Sequence, residues 1–178
     1  MTERPSSPLP ILTGVLVRLR PWRPDDVDRL EAILAEPSVA QWWGLLTGAS
    51  VAAAWLASDE NGSLTFVIEH QGRVVGSIQC SEEDDPDYRS AGIDLFLATE
   101  AQGRGLGPDA IRTLARWLFE ERGHHRLTID PSAANARAIA AYSKVGFRPI
   151  GLARGYERGP DGTFHDGLLM ELLAGELK

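Results

Sequence analysis

The 178-residue chain has a single cysteine, Cys80, and four histidines, His70, His124, His125 and His165. One cysteine excludes an intrachain disulfide, and the histidines fall outside HxxxH or CxxC spacing, so no metal centre is expected. Cys80 belongs to the alternating run Val74-Gly76-Ile78-Cys80 and reads as a buried strand residue. Long hydrophobic runs are missing too: no stretch approaches the roughly 18 apolar residues of a membrane span. The opening MTERPSSPLPIL has neither the apolar segment nor the flanks of a signal peptide and reads as a flexible lead-in over residues 1–12. A cytoplasmic protein with no membrane contact is the expectation. Positive charge is scarce, 18 Lys and Arg against 25 Asp and Glu, for a net charge of −7. That deficit argues against nonspecific nucleic-acid binding, which needs a basic footprint, and favours a small cationic partner.

What is present suits one globular domain over residues 13–178. With 43% hydrophobic residues, the chain can bury a sizeable core. Val15 to Arg20 alternates apolar and charged residues as a half-buried strand does, and Pro24-Asp25-Asp26 opens a helix running to about Ala35. A second short helix is expected over Val51 to Ala57. Leu64–Glu69 and Val74–Cys80 form a hairpin about His70-Gln71-Gly72-Arg73. The acidic run Glu82 to Asp87 reads as a solvated loop before the strand Ala91–Ala98. A helix then carries Ile111, Leu114, Ala115, Leu118 and Phe119 on one face and stops at Gly123. Strand Arg126–Ile129, helix Ala134–Val145 and strands near 147–153 and 164–172 complete an α/β (α+β) fold. Its single mixed sheet of about six to seven strands is flanked by about four helices.

Three glycines stand before the long helix, in Gln102-Gly103-Arg104-Gly105-Leu106-Gly107. A dinucleotide fingerprint needs GxGxxG, and from Gly103 the last glycine is missing; a triphosphate loop needs GxxxxGK, and no lysine follows. What remains is a turn that leaves backbone N–H groups free at a helix start, a generic anion site, or a loop whose glycines merely turn the chain.

Downstream lie Asn135, Ala138, Tyr142, Gly146 and Phe147. With Gln102, Gly105 and Gly107 they reproduce, in order and spacing, a Q-x-x-G-x-G turn, an N-x-x-A helix and Y-x-x-x-G-F. In this the chain resembles the GCN5-related N-acetyltransferases (GNAT fold) from about Val15 onward. Within that family it is most similar to aminoglycoside 6′-N-acetyltransferases, through Val39-Ala40-Gln41-Trp42-Trp43-Gly44, Gly92-Ile93-Asp94 and Ile129-Asp130-Pro131-Ser132. The resemblance implies acetyl-coenzyme A as co-substrate, with pyrophosphate on the turn Gln102, Gly103, Arg104, Gly105, Leu106, Gly107. It also implies pantetheine along the splayed strand edge at Phe96, Leu97 and Ala98, with Asn135 beside it. Pro108-Asp109 departs from the family pattern and would set an acid against the pyrophosphate.

The same resemblance puts Tyr142 where the family has its general acid, and Asp94 where the aminoglycoside enzymes have an acid at the reacting amine. Asp130 and Asp166 are further candidate contacts for a cationic acceptor, and Trp42 and Trp43 for a sugar ring. Plainer roles stand beside these: Tyr142 as a core tyrosine, Asn135 as a helix N-cap, Asp94 as an outward strand residue, Asp130 as a turn residue and the tryptophans as core. The implied reaction is acetyl transfer to a primary amine of a small polycation, foremost an aminoglycoside 6′-amine, by a monomer or homodimer. Acylation of a siderophore precursor or a protein amino terminus, and noncatalytic coenzyme A sensing, are the alternatives.

Overall fold

The computed structural model describes residues 9–43 and 63–178. In chain order come strands β1 (Leu12–Thr13) and β2 (Arg18–Pro21), a 3-10 turn at Pro24–Asp26, and helices α1 (Val27–Leu34) and α2 (Pro37–Trp43). Strands β3 (Ser63–His70), β4 (Arg73–Glu83) and β5 (Ser90–Leu97) follow, then helix α3 (Leu106–Glu120) and strand β6 (Arg126–Ile129). Helix α4 (Ala136–Val145) and strands β7 (Arg148–Arg158) and β8 (Phe164–Leu173) close the order. The helix expected over Val51–Ala57 lies outside the described residues.

The eight strands form one sheet in the order β1-β2-β3-β4-β5-β6-β8-β7, at least one strand more than the sequence suggested. The extra strand is the two-residue β1, whose Leu12 pairs with Leu19. Leu9 and Leu12, inside the stretch expected as a lead-in, pack on the core. Among the described residues only β5 and β6 run parallel, which demands a crossover, and α3 supplies it. β3 and β4 turn through Gln71 and Gly72, both at positive φ (52° and 75°), as a two-residue hairpin loop requires.

Two expectations fail for stated reasons. Val15 and Leu16 are not strand but a turn closed by Gly14 N–H to Val17 O at 2.8 Å, and Val15 is 90% exposed. Glu82 is not part of a solvated loop: β4 continues through Glu83, and the Glu82 carboxylate is buried against Arg122 and His124.

The core joins both faces of the sheet. Phe66, Ile68, Ile78 and Cys80 of β3 and β4 are fully buried, together with Leu30 and Ile33 of α1 and Ile111, Leu114 and Leu118 of α3. Along β5 the side chains divide by parity. Phe96 meets Trp43 of α2 edge-on, centroids 5.2 Å apart, whereas Leu95 and Leu97 lie beside Gly107 at the start of α3. The strand that carries Asp94 is therefore gripped on both faces.

Candidate active site

Gly92 and Thr128 are the last paired residues of β5 and β6. Beyond them the two strands part, and the rest of β5 keeps β4 on one side while the other edge opens. Ala98 N–H donates to Val75 O at 2.8 Å. Backbone groups alternate direction along a strand, so the N–H groups of Asp94 and Phe96 turn to β4 and those of Leu95 and Leu97 turn into the opening. The carbonyl of Leu97 accepts from Gln102 Nε2 at 2.8 Å, and Gln102 Oε1 accepts from Arg137 Nη2 on α4. Gln102 thus clamps both banks of the opening rather than extending freely into it.

Gly103 and Gly105 have φ of 73° and 80°, a left-handed conformation costly to other residues. Their two bends bring the chain into α3 with its first N–H groups facing a cleft of about 1050 Å³. Leu95, Phe96, Leu97, Gln102, Gly103, Gly105, Gly107, Asn135 and Tyr142 all line it. Side-chain-free glycines, a helix start and an open strand edge are what a phosphate with an amide-bearing arm requires, so these residues fit coenzyme A. Ala98 and Leu106 lie buried beneath the loop, and Arg104 is exposed on it. Asn135 caps α4, its Oδ1 accepting from Ala138 N–H at 3.1 Å.

Asp109 was expected to oppose the pyrophosphate. It lines the cleft but is largely buried, and its carboxylate accepts from the N–H groups of Val15 (3.3 Å), Leu16 (2.7 Å) and Val17 (3.0 Å). Those amides occupy its oxygens, and the turn they belong to brings Val15 and Leu16 to the cleft wall.

Apart from Asp109, whose oxygens the three amides engage, charge along the cleft is segregated. Arg112, Arg116, Arg137 and Lys144 of α3 and α4 line it together with Lys178 beyond β8, and Arg112 donates to the carbonyls of Lys178 and Lys144. These cations were missed in the sequence, although Pro108, Arg112 and Arg116 recur at helical spacing, one stripe beside the glycine turn. At the other end stand Asp94, Asp130 and Glu157, with Tyr142.

Asp94 is exposed toward the cleft, whose walls enclose it on most sides. Burial, followed by the charge of Asp130 and then Glu157, pushes its carboxyl up to about 6, against an opposing hydrogen bond from Gln79. Gln79 is its direct cross-strand partner on β4. Tyr142, tilted against Phe147 with centroids 6.4 Å apart, is held well above the ordinary phenol range, first by burial and then by Asp94 and Asp130. The neighbouring Asp130 carboxylate, and then burial, pushes the phenol of Tyr156 on β7 up to about 12; sequence reasoning did not single it out.

Trp42 and Trp43 both line the cleft from α2. Asp166 does not reach its walls: its Oδ1 accepts from Gly155 N–H at 2.8 Å. Among the described residues no cluster of His, Cys, Asp and Glu could hold a metal ion. No helix among them is long and apolar enough to cross a membrane.

Residues 17–148 match the family model described as Acetyltransferase (GNAT) domain. Aminoglycoside N(6')-acetyltransferase type 1 of Klebsiella pneumoniae is 31% identical over 153 residues, 76% of this chain and 75% of the relative. The Kanamycin resistance protein of Rhizobium radiobacter is 44% identical over 71 residues, 39% of this chain and 64% of the relative. Among solved structures, Mycobacterium smegmatis RimJ in complex with CoA-disulfide superposes with a TM-score of 0.81 at 28% identity, over 94% of this chain and 88% of that one. AAC(6')-Ib in complex with Parmomycin and AcetylCoA superposes with a TM-score of 0.76 at 27% identity, over 90% and 95%.

Proposed function

The chain belongs to the GNAT acetyltransferase family and is an acetyl-coenzyme A dependent N-acetyltransferase; from that premise we propose that its acceptor is a small polycationic amine, foremost the 6′-amine of an aminoglycoside. The observation that carries this reading is the charge along the cleft, with five cations beside the glycine turn, where the one acid Asp109 is engaged by backbone amides, and three carboxylates at the far end. Opposite charge at the two ends suits a phosphorylated donor and a cationic acceptor entering one groove. Kinship to aminoglycoside 6′-acetyltransferases supports the acceptor class. Antibiotic resistance would be the consequence, exerted in the cytoplasm where acetyl-coenzyme A is available.

Bound acetyl-coenzyme A supplies a thioester, whose carbonyl is attacked directly by the acceptor amine. This chain's part is to orient and to move protons. The N–H groups of Leu95 and Leu97 face the opening, where charge builds on the carbonyl oxygen, and act as oxyanion donors. An acceptor amine with a reference pKa of about 10.4 arrives protonated, and Asp94, ionised at neutral pH, takes that proton directly or through water. Tyr142 keeps its proton and points it at the leaving sulfur. A phenol raised this far is a better hydrogen-bond donor than proton donor, so its contribution is stabilisation of the thiolate.

The test is thiol release from acetyl-coenzyme A with kanamycin, tobramycin, a siderophore-type hydroxylamine and a lysine-rich peptide, with products identified by mass spectrometry. Efficient turnover confined to the aminoglycosides supports the reading; turnover of the hydroxylamine or the peptide alone would replace the acceptor and keep the reaction.

A further inference from the structure

The edge strand β7 loses register with β8 between Ala153 and Glu157. At this bulge Gly155 takes φ 54° and is pinned by its N–H bond to Asp166. The pinned bend delivers Tyr156 onto Gly167, where a Cβ would stand only 2.7 Å from Tyr156 Cδ1 and 3.1 Å from Cγ. Glycine at 167 is therefore a seat for the phenol ring. The same stretch of β8 holds the segment after Asp130, through Leu168 N–H to Pro131 O at 2.9 Å and Ala133 N–H to Asp166 O at 2.8 Å. Tyr156 and Asp130 are thus fixed to one another by a shared strand, and the phenol stands on the same cavity as the carboxylate. This second cavity measures about 510 Å³, and Asp94 and Asp130 border it and the main cleft alike.

The two neighbouring carboxylates have different surroundings: Gln79 lies opposite Asp94 on the adjacent strand, and Tyr156, seated on Gly167, shares the second cavity with Asp130. We propose that Tyr156 determines acceptor specificity, its phenol holding the Asp130 carboxylate as an ammonium anchor so that the site selects acceptors bearing a second cationic amine besides the reacting one. The proposal rests on the amine-acceptor reading above and names the chemistry that reading leaves open. Asp166 takes part from a distance, as the residue that pins the bulge.

The test compares 1,5-diaminopentane with pentylamine, on the full chain loaded with coenzyme A for calorimetric binding and with acetyl-coenzyme A for thiol release. Wild type, Tyr156→Phe and Gly167→Ala are compared. The wild type should prefer the diamine. In Tyr156→Phe the diamine should bind about tenfold more weakly, the loss of one charge-assisted hydrogen bond at the anchor, with pentylamine and coenzyme A affinity unchanged. Gly167→Ala should act in the same direction by displacing the ring. An unchanged preference in Tyr156→Phe overturns the proposal, as does a wild type that binds both amines equally or neither. Diamine-selective binding lost in Tyr156→Phe, without thiol release by wild type on any amine, would uphold the anchor and overturn only the acetyl-transfer reading of the acceptor.

Discussion

Asp109 Oδ2 accepts the backbone N–H of Leu16 at 2.7 Å across 93 residues of sequence. With the bonds from Val15 and Val17, one carboxylate at the start of α3 holds an entire turn of the N-terminal segment. Asp109→Ala leaves three amides without their acceptor, a loss on the order of 2–4 kcal/mol that urea unfolding would read. The turn also brings Val15 and Leu16 to the cleft wall, so the same variant should raise the KM for acetyl-coenzyme A several-fold with a smaller effect on kcat. Were the acid instead repelling the pyrophosphate, its removal would tighten coenzyme binding; that result would refute the assignment.

Asp94, pushed up to about 6, takes up its proton over a range where most carboxylates are already charged. If it accepts the amine proton, only its ionised form works, and kcat/KM should rise with pH through an apparent pKa near 6. The groups facing it fix the sign of every perturbation. Asp130 and Glu157 raise it, Gln79 lowers it, and Tyr142 stays neutral beside it. Asp130→Asn removes a neighbouring negative charge and should move the acid limb to lower pH, whereas loss of the Gln79 hydrogen bond in Gln79→Leu should move it higher. A pH profile that keeps its acid limb in Asp94→Asn would exclude this residue as the base.

Tyr142 is asked for less than a full proton transfer. Tyr142→Phe should lower kcat by roughly 10- to 100-fold, at or below the low end of what a positioned acid supplies, and leave the KM for the acceptor nearly unchanged. Poorer leaving thiols should suffer more from the substitution. Equal losses across acyl donors of different thiol pKa would show that the phenol packs α4 and does not touch the sulfur.

Local pattern made much of this site readable. Gln102, Gly105, Gly107, Asn135 and Tyr142 are close in sequence to the turns and helix starts they build, so their spacing, together with the family resemblance it carried, pointed to the glycine turn and the helix start. The partners of Asp109 could not be read because they lie more than 90 residues away and are backbone amides, which have no signature in sequence. Tyr156 was missed for a related reason. Its placement depends on a bulge, on Gly155 at positive φ and on the absent side chain of Gly167 in the next strand. Val15 and Leu16 alternate as a strand does, yet capture of their amides by Asp109 keeps them in a turn.

Glu82 provides a stability test away from the chemistry. Its carboxylate is fully buried and receives Arg122 Nε and Nη2 at 2.9 and 2.8 Å and His124 Nε2 at 2.7 Å. Burial alone would push it up, but the hydrogen bonds from Arg122 and then His124 outweigh that and hold it below the ordinary carboxylate value of 4.5. Because the folded value is the lower one, its contribution is present above pH 4.5 and is lost as pH falls through the folded value. Glu82→Gln weakens the hold on Arg122, which also lies 5.5 Å over the Trp117 ring, and should cost about 1.5–3 kcal/mol at pH 7, less than a fully buried pair because Arg122 is partly exposed. The difference from wild type in urea unfolding should shrink as pH is lowered below 4.5. A difference independent of pH would mean that Glu82 contributes through packing and not through its charge.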